Sequence, residues 1–286
     1  MKLSNELVTE ETNSSLFYLY CVIRCDSLQP PRFTFESGLG PLSVIVYKDL
    51  AAVVTRVPES EFSQSAIDRR LKDLEWISSV GLIHEDVIEK VMSLHETPIP
   101  MKFCTIFKSE KRIVEVLTEN YAKFKSKLRQ LEGSAEMGVN AFTSKAKSSR
   151  SRLWASKSDT QITRLEKKIS RSSPGTAYFL KQDLARLLDA QKKSSLKSIS
   201  EIIVRKMSLE AERCVTNPVF GSNNQSNVVL KRKSQTDSMF LNAAFLVKKK
   251  RIPKFKGLFR DMRRQYAHLG VRLSISGPWP PYNFSN

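Results

Sequence analysis

Two short runs in the chain are almost free of polar residues, and they constrain its fold more than any other feature. LFYLYCVI (16–23) and MFLNAAFLVKKK (239–250, apart from its basic end) are dense in aromatic, β-branched and aliphatic side chains. Runs of this length and composition read as buried strands. The second is so uniformly apolar that it is predicted to be central in its sheet. Neither run approaches the roughly 18 residues of a membrane-spanning helix, and no other stretch does.

The segments around these runs switch between two periods. PLSVIVYKDLAAVVTRVP (41–58) sets two apolar runs about Lys48-Asp49, which predicts paired strands. From Ser65 to Met92 the period becomes helical, with Ile67, Leu71, Leu74, Gly81, His84, Ile88 and Val91 near one stripe. TPIPMKFCTIF (97–107) reads as a strand entered through two prolines. Ser109 then suits an N-cap ahead of Glu110. Ile113, Leu117, Tyr121, Phe124, Leu128 and Leu131 follow at helical spacing up to a glycine stop at Gly133.

The second half repeats the alternation. AEMGVNAF (135–142) reads as a strand. Residues 143–173 carry nine basic and two acidic residues among many serines, an extended basic insert that turns partly helical near 160–170. Ser173 and Pro174 fit the cap and first turn of a long helix that persists to about Cys214. After a loop, VVLKRKS (228–234) and the apolar run at 239–250 suggest a hairpin. A helix over 254–269 buries Phe255, Leu258, Phe259, Met262, Tyr266 and Leu269, and VRLSIS (271–276) alternates as a strand. The order β-α-β-β-α-β predicts a ferredoxin-like domain. The expected fold is therefore α+β, with two α/β domains. They are an N-terminal one over 16–132 behind a disordered tail (1–15), and a C-terminal ferredoxin-like one over 133–286 with the basic insert. A chain of 286 residues suits two domains.

Charge separates the halves. Residues 1–132 hold 17 basic and 19 acidic residues, and residues 133–286 hold 30 and 10. The second half therefore carries the whole positive excess and calls for an acidic or polyanionic partner. A nucleic-acid-binding module is the alternative this raises. It is disfavoured because the insert offers only Trp154 for base stacking. The four cysteines (Cys21, Cys25, Cys104, Cys214) have poor zinc spacing and read as free thiols in a reducing compartment. The polar, acidic N-terminus does not read as a secretory leader, so a cytoplasmic location is expected.

Catalytic chemistry has little to stand on. Cys104 and His84 are the one thiol–base pair worth naming. His84 falls in the apolar stripe of its helix, where a histidine satisfied by a backbone or carboxylate partner is expected. No phosphate-binding glycine loop and no metal-ligand spacing is present in the sequence, so no cofactor is indicated.

GPWPPYNF (277–284) is the least ordinary segment. Proline lacks an N–H and fixes φ, so the last strand should stop here and the chain run on extended, near polyproline II. Trp279, Tyr282 and Phe284 then read as a latch onto the body of the domain, or as a docking edge for a partner. Arg260, Arg263 and Arg264, off the apolar face of their helix, read as electrostatic steering groups.

In order along the chain, LFYLYCVI, VYKDLAAVVTRV, HEDVIEKVM, TPIPMKFCTIF, LEGSAEMGVNAF, SPGTAYFLKQ and SISGPWPPYNF resemble segments of the gas vesicle protein F/L family (GvpF/GvpL). The likeness covers nearly the whole chain, and the ending is its most specific element. Cys21 and Cys104 stand where that family usually has glycine, and the 143–173 insert is longer and more basic. The resemblance implies a non-catalytic assembly role, supporting nucleation of the shell or preventing aggregation of its protein. The implied partners are the small hydrophobic shell protein and other accessory proteins of the gas vesicle. The implied location is the gas vesicle and the cytoplasm. It also implies a two-domain α/β structure with a ferredoxin-like C-terminal part.

Overall fold

The computed structural model describes residues 14–26, 29–144, 160–219 and 237–285. The strand expected at 228–234 and most of the tail expected at 1–15 lie outside the described residues, as does the insert from 145 to 159. The chain divides into two compact units. One takes the residues up to Ser134 together with those from Trp279 onward, and the other runs from Ala135 to Pro278.

The first unit is built on β1 (Ser15–Arg24), β2 (Leu42–Tyr47) and β3 (Leu50–Pro58). The Lys48-Asp49 turn joins β2 to β3 as an antiparallel hairpin, with Lys48 at φ 53°. β1 pairs antiparallel with β3, and their register slips between Leu19 and Cys21, which makes Tyr20 the extra residue of a β-bulge. A one-residue slip exchanges the faces of a strand. Leu16, Tyr18 and Tyr20 before the slip therefore share one core with Cys21, Ile23 and Cys25 after it.

Helices cover both faces of this sheet. α1 (Glu59–Phe62) and α2 (Gln64–Arg70) lead to α3 (Leu74–Leu94). The expected single helix is broken at 71–73, because the Asp73 carboxylate accepts the N–H groups of Glu75 (2.9 Å) and Trp76 (3.2 Å) and starts a new one. Leu71 and Leu74, at the break, are exposed, while His84, Val87, Ile88 and Val91 of α3 are buried. TPIPMKFCTIF is not one strand. It forms two two-residue strands on β1, β4 (Ile99–Pro100) and β5 (Ile106–Phe107), giving the order β2-β3-β1-β4 with β5 also on β1. Between them Cys104 turns into the left-handed region at φ 58°, which no continuous ladder accommodates.

α4 (Glu110–Glu119) begins at Ser109, whose hydroxyl accepts the Arg112 N–H at 3.3 Å. Asn120 ends it, and α5 (Tyr121–Leu131) follows. α4 lies on β2 and β3, and α5 lies on β1 and β4. Ile113, Leu117, Leu128 and Leu131 of these helices are buried, as are Phe17, Leu19 and Val22 of β1. β1 is thus apolar on both faces because both faces are covered.

The second unit starts with β6 (Ser134–Ser144, its first residue belonging to the first unit). α6 (Thr160–Ser170) and α7 (Pro174–Ser208) form a helical hairpin. β7 (Arg213–Thr216), β8 (Asp237–Lys248), α8 (Ile252–Ala267) and β9 (Val271–Trp279) complete the unit, with the strand order β7-β8-β6-β9. β8 is internal, as its composition predicts. α7 stops before Cys214, which lies in β7, paired antiparallel with β8. Ser173 meets the Thr176 hydroxyl at 3.1 Å instead of capping a backbone N–H. One core joins Met137, Val139 and Ala141 of β6, Ile199, Ile203 and Met207 of α7, Phe245 of β8, Phe255 and Phe259 of α8, and Leu273 of β9.

Candidate functional site

The last strand does not end at the prolines. β9 continues through Gly277 and Pro278 to Trp279. Pro280 and Pro281 are buried, and residues Tyr282–Phe284 close into a single 3-10 turn, with the Phe284 N–H donating to the Pro281 carbonyl at 3.0 Å. From Trp279 on, the chain packs within the first unit. Phe284 is 1% exposed, and its carbonyl accepts the Lys127 ammonium of α5 at 3.2 Å. Tyr282 lies half-buried against the core of the first unit, as do Trp76, Phe103 and Cys104. Trp279 is 40% exposed. The three aromatics therefore differ: Phe284 is a packed side chain, Tyr282 a wall, and Trp279 an open surface.

Tyr282 is one wall of a cleft of about 400 Å³ within this unit. Ile77, Gly81, His84 and Glu85 of α3 form a second wall, and Pro100, Met101, Lys102 and Phe103 a third. A cleft of this size admits one large side chain or a short peptide segment. Sequence reasoning noted Gly81 only as part of a helical stripe. A side chain added at Gly81 meets nothing within 4 Å, so its absence contributes to the open space.

Beneath the cleft runs a chain of hydrogen bonds whose direction is fixed by its ends. The Met101 carbonyl can only accept, so His84 Nε2 carries the proton and donates to it at 3.2 Å. His84 Nδ1 is then an acceptor and takes the Tyr18 hydroxyl proton at 3.0 Å. The Tyr18 oxygen in turn accepts the Cys104 N–H at 3.2 Å. Burial holds His84 neutral, lowering its pKa from 6.5 to about 4, and raises that of Tyr18. Cys104 enters through its backbone, and burial pushes its thiol up to about 11. The two residues suggested as a nucleophile and base are thus brought close, but in this arrangement the thiol is protonated at neutral pH and His84 already has two partners.

The steering candidates sit elsewhere. Arg260, Arg263 and Arg264 are all exposed on α8, opposite its buried Phe255, Phe259, Met262 and Tyr266. Arg264 pairs with Asp261 at 2.6 Å. Among the described residues no group of three His, Cys, Asp or Glu side chains is placed to hold a metal ion, and no helix is long and apolar enough to cross a membrane.

Comparison with known proteins agrees with this geometry over the same span. Residues 16–286 match the family described as gas vesicle synthesis protein GvpL/GvpF. Gas vesicle protein L of a Streptomyces species is 24% identical over 271 residues, covering 94% of this chain and 92% of its own. Gas vesicle protein L1 of Halobacterium salinarum is 22% identical, covering 96% and 92%. The crystal structure of GvpF from an Anabaena species superposes with a TM-score of 0.69 at 16% identity, covering 96% of this chain and 99% of that one. GvpF from Microcystis aeruginosa superposes with a TM-score of 0.61, also at 16% identity, covering 95% and 99%. The two-sheet α/β fold is thus shared with solved relatives, and with a family match spanning all but the first fifteen residues, the chain belongs to the GvpL/GvpF family of gas vesicle synthesis proteins, whose role lies in gas vesicle formation.

Proposed function

We propose that the protein is a non-catalytic accessory factor of gas vesicle assembly that engages the small hydrophobic shell protein, alongside other accessory proteins, and keeps it from aggregating before it enters the shell. The family match over residues 16–286 carries this reading. The cleft of the first unit supports it: Ile77, Pro100, Met101, Phe103 and Tyr282 offer apolar walls, and Glu85 and Lys102 give the rim polar groups that orient a segment. α3 adds Leu82 and Leu94, 67% and 59% exposed, to the apolar surface of the same unit. We also read the second unit as ferredoxin-like. Its strand order β7-β8-β6-β9 and its element order favour that topology.

The test uses the full chain, because residues from Trp279 onward pack in the first unit and a fragment ending at residue 132 would lack them. Co-expressed shell protein is expected to co-purify with the wild-type chain at low and at high salt. Gly81→Trp would fill the cleft from a helix position with free space and is expected to abolish capture, whereas Gly81→Ala retains it. Full capture by a folded Gly81→Trp protein would remove the cleft from the mechanism. Absence of capture by the wild-type chain would remove shell-protein binding itself.

A further inference from the structure

The basic insert ends in a structured element. α6 packs on α7 across a connection of three residues, and between them lies a groove of about 750 Å³ in the second unit. Arg164, Lys167, Lys168 and Arg171 line it, over a floor that includes Leu165 and Leu187. Arg164, Lys168 and Arg171 recur at three- and four-residue spacing, which keeps them along one side of α6 and its C-terminal turn. Among the described residues, none of the four cations enters an ion pair and no acidic side chain lines the groove. Asp183 and Asp189 of α7 are engaged along their own helix, with Arg186 at 3.6 Å and Lys193 at 3.0 Å.

From this arrangement we propose that the α6–α7 groove is a docking site for an acidic amphipathic segment of a protein partner. Four unpaired cations around an aliphatic floor call for carboxylates interleaved with aliphatic side chains. The arginines add planar forks that suit carboxylate geometry. Among the described residues no aromatic side chain lines the groove, so these residues offer no stacking platform of the kind single-stranded nucleic acid uses. It is concave, whereas lipid surfaces take up amphipathic helices by their convex apolar face. The site lies in the second unit and is independent of shell-protein capture at the cleft of the first.

The experiment is fluorescence anisotropy with the full chain and three labelled probes: a synthetic peptide repeating Leu-Glu-Glu-Leu, an oligoglutamate of equal length, and a single-stranded oligonucleotide of equal length. The amphipathic peptide is expected to bind most tightly at low salt, and the double variant Arg164→Glu/Arg171→Glu is expected to weaken it by about tenfold or more. Those side chains are exposed, so the fold should survive the change. The double variant Lys249→Glu/Lys250→Glu, at two exposed lysines just ahead of α8, changes the net charge equally and is expected to leave peptide affinity within about twofold. Equal binding of oligoglutamate, or equal damage by the Lys249→Glu/Lys250→Glu variant, would reduce the groove to a general positive field and overturn the proposal. Tighter binding of the oligonucleotide would overturn it in favour of nucleic acid. No binding of the peptide would overturn it outright, and would leave shell-protein capture untouched.

Discussion

The two units handle polarity in opposite ways. In the first, β1 is buried on both faces, and the polar groups beneath the cleft satisfy one another in a directed chain from Cys104 through Tyr18 and His84 to Met101. In the second, the core gathers against α7 and α8, and the excess charge lies outside, on the exposed faces of α6, α7 and α8. The first unit is therefore sensitive to packing and to any orphaned hydrogen bond. The second can lose surface charge with little effect on folding, and its charge is free to serve recognition.

The largest effect is expected at the end of the chain. Phe284→Ala deletes a side chain that is 1% exposed and is expected to destabilise the first unit by about 3–5 kcal/mol. Trp279→Ala removes a larger ring that is 40% exposed and is expected to cost under about half as much. Urea unfolding of the two full-length variants checks the ranking. Equal shifts in midpoint would mean that the tail is held by Trp279 as much as by Phe284.

Acidification is next. The pKa of His84 is about 4 in the folded chain and returns to 6.5 on unfolding. Above 6.5 both states are neutral and the histidine adds no pH dependence. As pH falls below 6.5 the unfolded state takes up a proton that the folded state refuses, so stability is lost down to about 4. By pH 5 the loss is about 2 kcal/mol. His84→Gln, which can still donate to Met101 and accept from Tyr18, is expected to flatten that slope. An unchanged slope in the variant would assign the pH dependence to other groups.

Much of this was legible in the sequence wherever a signal is local. β1, the β2–β3 hairpin, β8 and α8 follow from runs and periods a few residues long. The break before α3 was also readable, since Asp73 followed by Glu75 is an N-cap signal. What escaped depends on distant partners or on single dihedrals. β7 is four residues long and is a strand because β8 pairs with it. The tail reads as extended until Lys127, 157 residues away, is known to hold the Phe284 carbonyl. The cleft needs α3, the segment after Pro100 and the tail together, so no one stretch announces it. The basic character of the insert was plain, but the aliphatic floor of its groove required Leu165 of α6 and Leu187 of α7 to be placed side by side.

The smallest effect separates two cysteines that stand where glycine was expected from the family resemblance. Cys21 follows the bulge in β1, is fully buried, and has no left-handed backbone. Cys21→Gly therefore loses packing and adds chain entropy, a loss of about 2 kcal/mol. Cys104 has φ 58°, a conformation that costs a residue with a Cβ about 1–2 kcal/mol. Glycine there relieves the strain while giving up a half-buried thiol and gaining unfolded-state entropy, each worth about 1 kcal/mol. The terms nearly cancel, so Cys104→Gly is expected to stay within about 1 kcal/mol of wild type. Cys104→Ala keeps the strain and loses the sulfur, and should be the less stable of the two. The reverse order would show that the left-handed turn is held without strain, and that the hydrogen bond from the Cys104 N–H to Tyr18 alone fixes it.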